Sequence, residues 1–97
     1  MRYRLTREAE EDIIGIAETS LRLFGQIQAR RYHNELFDLI DLIAAIPRMA
    51  RERLELTPPV RVQPFRQHLI VYRIEEDGGV LVIRVRHAHE DWIADGT

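Results

Sequence analysis

The sequence predicts an α+β domain in the order β-α-α-β-β-β, an antiparallel helical hairpin packed on one face of a small, mainly antiparallel sheet. Three observations predict it. Apolar residues recur at helical spacing from Ala9 to about Ile46, with a break at Gly25. From Val60 onward the pattern changes to short alternating runs. The chain has 97 residues, which fits one compact domain, residues 1–97, and leaves no room for two.

The stretch Arg2 to Leu5 reads as a first strand, because Tyr3 and Leu5 alternate with Arg2 and Arg4. Thr6 follows as an N-cap, with Glu8, Glu10 and Glu11 near the positive end of the helix dipole. Ala9, Ile13, Ile16, Ala17, Ser20, Leu23 and Phe24 then fill about half of the helix circumference, at 100° per residue. Glu11, Gly15, Glu18 and Arg22 face away. Gly25 is a natural stop. A second helix begins near Gln26, with Ala29, Tyr32, Leu36, Leu39, Ile40 and Ile43 on one face. Arg31, Glu35, Asp38 and Leu42 fall on the other, and Pro47 ends it. The joint is short, so the two helices fold back on each other.

The segment Pro47 to Pro59 is charged and bounded by prolines. It reads as a loop with a helical turn. Three strands follow, over Val60–Phe65, His68–Glu75 and Val80–Arg86. Between the last two, Asp77-Gly78 suits a two-residue type I′ turn. That turn sets Ile74 opposite Leu81, Tyr72 opposite Ile83, Ile70 opposite Val85 and His68 opposite His87. One face is then apolar until the histidines, and the other carries Leu69, Val71 and Arg73 against Val82, Arg84 and Arg86.

Composition excludes several function classes. There is no cysteine, hence no disulfide, thiolate ligand or thiol nucleophile. All fourteen basic residues are arginine, so no lysine can act as base or Schiff-base former. The net charge of −2 argues against direct nucleic-acid binding by the chain alone. No apolar run approaches a membrane span and no signal-peptide pattern opens the chain, so a cytoplasmic location is expected. No cofactor is expected.

Four constellations carry chemistry. Arg73, Arg84 and Arg86 sort onto one sheet face, joined by Arg61 from the preceding strand. Interleaved with Leu69, Val71 and Val82, they make either a solvated outer face or a mixed apolar and cationic binding surface. His68, His87 and His89 could hold zinc, but His87 at a strand end is better read as a satisfied histidine, and no metal is expected. His87, His89, Glu90, Arg84 and Arg86 include the acid, base and cation types that RNA cleavage needs, at no strict spacing. Trp92, with Ile93, either clamps the terminus to the domain or anchors a partner, the clamp being favoured.

The order of elements, the opening YRLTREAEEDIIGIAE, the run IVYRIEEDGGVLVIRVRH and the closing HEDW together resemble the ParE branch of the RelE/ParE toxin superfamily. Ala9 with Asp12, Pro47, Val71-Tyr72-Arg73, and Arg84-Val85 with His87 carry most of the likeness. The resemblance implies a RelE-like fold and a toxin of a type II toxin–antitoxin pair. It implies DNA gyrase as target and neutralisation by a ParD-like antitoxin, in a hetero-oligomer with it. On that reading the chain is not an enzyme, and Arg61, Arg73, Arg84, Arg86 and Trp92 are the binding candidates. The RelE branch instead cleaves mRNA in the ribosome. That alternative would use Arg84, Arg86, His87 and His89. A third is a non-toxic relative that only binds its antitoxin. The chain departs from the ParE pattern at Ala50, where a glycine is usual. It departs from the RelE pattern in having neither lysine nor a tyrosine near its C-terminus.

Overall fold

A computed structural model describes residues 3–88. The order is β1 (Tyr3–Leu5), α1 (Arg7–Ala45), a 3-10 turn (Pro47–Met49), β2 (Glu52–Arg53), β3 (Val60–Phe65), β4 (His68–Ile74) and β5 (Val80–His87). The strands form one mixed sheet ordered β1-β5-β4-β3-β2. β1 runs parallel to β5 and the other pairs are antiparallel. The expected helical turn is present after Pro47. The two-residue strand β2 was expected as loop; it is too short to leave an alternating pattern in the sequence.

Helix α1 starts on Thr6, whose hydroxyl oxygen accepts from the Ala9 amide at 3.0 Å. It is one helical element of 39 residues with a break at Gly25, where φ is 83° and ψ 173°. A straight helix of that length would measure about 58 Å, yet the longest dimension of the molecule is 38 Å. The chain therefore folds back at Gly25, which alone among the residues nearby tolerates that φ without strain. The contacts give the direction of each arm. Asp12 in the first arm meets Arg84, while Tyr32 in the second meets His68, the partner of His87. Farther along, Asp41 lies close enough to Tyr3 to act on its hydroxyl electrostatically. The arms are antiparallel.

The core forms where both arms meet the inner sheet face. Ala9, Ile13, Leu36, Ile40 and Ile43 pack with Ile70, Tyr72, Val80, Val82 and Val85. Tyr72 is fully buried, and its hydroxyl donates to the Pro47 carbonyl at 2.7 Å. Tyr72→Phe should cost about 1–2 kcal/mol in a denaturant titration, because the carbonyl loses its donor. Burial also raises the hydroxyl pKa above its ordinary value, as it does for Tyr32 and Tyr3. The neutral phenol is the form the fold accepts. Its contribution is complete below about pH 10, the unfolded value, and is lost as pH rises through the raised folded value. Alkaline unfolding of Tyr72→Phe should accordingly be the shallower of the two curves.

Two register expectations are corrected. The β4–β5 loop is longer than a two-residue turn. Glu75 pairs with Gly79, the Gly78 amide donates to Glu75 O, and Gly78 takes φ 88°. That is a type I turn closed by a left-handed glycine. A bulge then interrupts β5 opposite Val71 and Tyr72. His68 faces His87 and Ile70 faces Val85 as expected, but Tyr72 faces Val82 and Ile74 faces Val80. Ile83, expected opposite Tyr72, instead packs in a second cluster around Leu56, Val60 and Val71.

Candidate functional site

The arginine group expected on one face is divided by the structure. Arg73 is exposed, opposite Leu81, and Arg86 lies opposite Leu69. Both belong to the outer sheet face, because Ile70 and Tyr72 alternate with Leu69 and Arg73 and point into the core. Arg61 pairs with Tyr72 and so lies on the inner face. There its guanidinium donates to the Ala50 carbonyl at 2.6 Å. Ala50 takes φ −101° and ψ 142°, extended backbone open to any residue, so alanine in place of the usual glycine imposes no strain. Arg61 fails to join the others because register, not composition, decides the face.

Arg84 is the larger correction. Its Nε and Nη2 donate to the two oxygens of Asp12 at 2.8 and 3.0 Å. The same carboxylate accepts from the Val85 amide at 3.0 Å. Strand β1 stops at Leu5, opposite Val82. Beyond it, Thr6 caps the β5 edge by donating its hydroxyl to Ile83 O, and Asp12 takes the next amide. Arg84, paired with Val71 next to the bulge, reaches over this edge to the helix. The pair closes the sheet edge rather than forming an open cationic surface.

A concavity lies elsewhere, between the two arms of α1 and the end of the sheet. It has a volume of about 970 Å³. Its polar wall is a cluster that sequence reasoning did not assemble. The Tyr32 hydroxyl and His68 Nδ1 are 2.6 Å apart. The His68 and His87 rings meet edge to face at 5.3 Å. Arg66, in the β3–β4 turn, pairs with Glu35 and stands 6.0 Å from the Tyr32 ring. The parity of β4 and β5 placed His68 beside His87. The missing signal was Tyr32, which helical periodicity marks only as an apolar-face residue.

Leu23 and Phe24 border the same cleft and are 61% and 66% exposed. They were expected on the apolar arc of the first helix. Gly15, expected to face away, also borders it. Among the described residues no group of three or more His, Cys, Asp or Glu could hold a metal ion. Likewise, no described helix is long and apolar enough to cross a membrane. His89, Glu90 and Trp92 lie outside the described residues.

Residues 3–92 match the family model described as ParE toxin of type II toxin-antitoxin system, parDE. The chain is similar to Toxin ParE1 of Mycobacterium tuberculosis, with 33% identity over 90 residues, 93% of this chain and 92% of that protein. It is also similar to Toxin ParE of Escherichia coli, with 32% identity over 89 residues, 92% of this chain and 86% of that one. A chain of the chromosomal ParDE TA system from P. aeruginosa shares the fold, with a TM-score of 0.78 at 16% identity over 92% of this chain and 97% of that chain.

Proposed function

This chain belongs to the ParE toxin family of type II toxin–antitoxin systems, and from that premise we propose that it arrests growth in the cytoplasm by binding DNA gyrase, as a contact inhibitor and not an enzyme, until a ParD-type antitoxin sequesters it. The family match over nearly the whole chain carries this reading. The solved relative from P. aeruginosa, which belongs to a ParDE system, supports the choice of antitoxin. The geometry supports contact over catalysis. Arg84 is bound to Asp12, and Arg86 belongs to the sheet face opposite the one that presents His87. A phosphate-cleaving site would need its base beside its cations.

Induction without antitoxin tests the proposal. Filamentation with DNA-damage signalling is the expected outcome. Rapid translation arrest with cut mRNA would point to a ribonuclease. One observation favours that second reading: Tyr32, His68 and His87 bring proton-exchanging groups together, with Arg66 beside Tyr32.

The antitoxin is expected on the outer sheet face, where Arg73 stands exposed. Arg73→Glu should weaken the toxin–antitoxin complex by about tenfold or more, roughly 1.4 kcal/mol, with a slope against salt. An affinity within about twofold of wild type would remove Arg73 from the interface. Charge reversal at Arg84 is a poor probe of the same surface, because it breaks the Asp12 contact first.

A further inference from the structure

The first arm of α1 carries two apolar stripes where a monomer needs one. Ala9, Ile13 and Ile16 pack into the core. Ile14, Ala17, Leu21 and Phe24 form a second stripe, with successive spacings of three, four and three residues. That is the a/d spacing of a coiled-coil seam, and it sets the four side chains on one face over about 15 Å of helix. Ile14, Leu21 and Phe24 are 58%, 53% and 66% exposed, and Ala17 between them is half-buried. Three large apolar side chains on one exposed face make an interaction surface.

Charge and size name the occupant. Glu10 and Glu11 stand exposed at the N-terminal end of the seam. Arg22 stands exposed near its other end, and Arg30 and Arg31 follow beyond Gly25. A second copy laid antiparallel brings the acidic end of each helix to the basic end of the other, whereas a parallel copy would stack like charges. In the antiparallel a-to-d register, Ile14 lies opposite Phe24 of the second copy and Ala17 opposite its Leu21. Glu18 then comes within about 3 Å, along the axis, of the level of Arg22 in the second copy. Two-fold symmetry repeats each contact. Exposed ion pairs add little affinity, so here they orient the helices. A seam of about three turns covers less than the roughly 1,200 Å² that stable interfaces bury in total. The pairing is therefore a concentration-dependent equilibrium.

We propose that two copies of this chain pair through the Ile14, Ala17, Leu21 and Phe24 seam, antiparallel and two-fold, when the toxin is free of other partners. The proposal rests on the helix pattern, independent of the toxin's target.

Sedimentation equilibrium of the purified chain, freed of antitoxin, tests it from low micromolar to near-millimolar concentration. The average mass should rise from one copy towards two and stop there. Leu21→Glu, at an exposed position, should hold the chain monomeric at unchanged far-UV circular dichroism. Arg22→Glu should raise the dimer dissociation constant by about threefold or more, and adding Glu18→Arg should restore it. Leu54→Ser is the control: Leu54 is 71% exposed and follows β2, at the sheet edge opposite β1, and should change nothing. A single-copy mass at every concentration would overturn the proposal. So would a mass that climbs past two copies, a dimer that persists in Leu21→Glu, or one that the charge swap fails to restore. A chain that stays monomeric while Leu21→Glu weakens antitoxin binding would overturn it as well, by giving the seam to the antitoxin.

Discussion

Ile40→Ala should destabilise the isolated protein by about 2–5 kcal/mol, read from its denaturant midpoint at unchanged slope. Ile40 is fully buried. It sits in the second arm of α1 within the cluster that joins both arms to β4 and β5. Truncation removes about three methylene-sized groups and leaves a cavity whose walls come from three elements, so it cannot collapse easily. Against a total stability of order 5–15 kcal/mol, this is the difference between a folded and a marginal domain. Leu42→Ala should cost under about 0.5 kcal/mol, because Leu42 is 44% exposed on the opposite face. Equal shifts for the two substitutions would mean the second arm is rotated from its assigned phase.

Asp12→Ala should cost about 2–4 kcal/mol. One carboxylate accepts three hydrogen bonds, two from Arg84 and one from the Val85 amide. Removing it leaves a backbone N–H without its acceptor at a strand edge, and a half-buried guanidinium without its counter-charge. Each loss costs more than the intact contact gains. The backbone contribution separates from the ion pair in a double-mutant cycle. Arg84→Met alone should be milder than Asp12→Ala, because Asp12 still accepts from Val85. The two together should fall short of their sum by about 1 kcal/mol or more. A strictly additive pair would show that the Asp12–Arg84 contact contributes nothing. For a domain of this size, Asp12→Ala should lower the melting temperature by roughly 10 °C or more.

These two positions show what the sequence made legible. The inner helix face was readable because burial on one side imposes a 3.6-residue period, and Ala9, Ile13, Leu36, Ile40 and Ile43 obey it. Periodicity reports which way a side chain faces but not whether anything lies opposite. The first arm leaves the sheet near Val82 and runs about 27 Å to Phe24. β5 covers only about 17 Å from Val82 to His87. Leu23 and Phe24 therefore overhang, and their inward face becomes a cleft wall. The strand pairs near His68 and Ile70 were readable from alternation alone. One extra residue in β5 broke the parity beyond Val71 and sent Ile83 to the second cluster, while Arg84 kept its expected partner Val71 and paired with Asp12. A bulge leaves almost no mark in composition. The family likeness at Asp12 and Arg84 pointed to both residues, but pairing them needed the third dimension. The tail from His89 onward lies outside the described residues, and Trp92 fluorescence is the direct probe of that segment.

We propose that this toxin acts by contact on gyrase and not by cutting RNA. Purified toxin, freed of antitoxin, should be given gyrase with relaxed plasmid and, in parallel, translating ribosomes. Inhibited supercoiling and intact mRNA are expected, with inhibition surviving His87→Ala. Site-specific mRNA cleavage that disappears in His87→Ala, with supercoiling untouched, would contradict it.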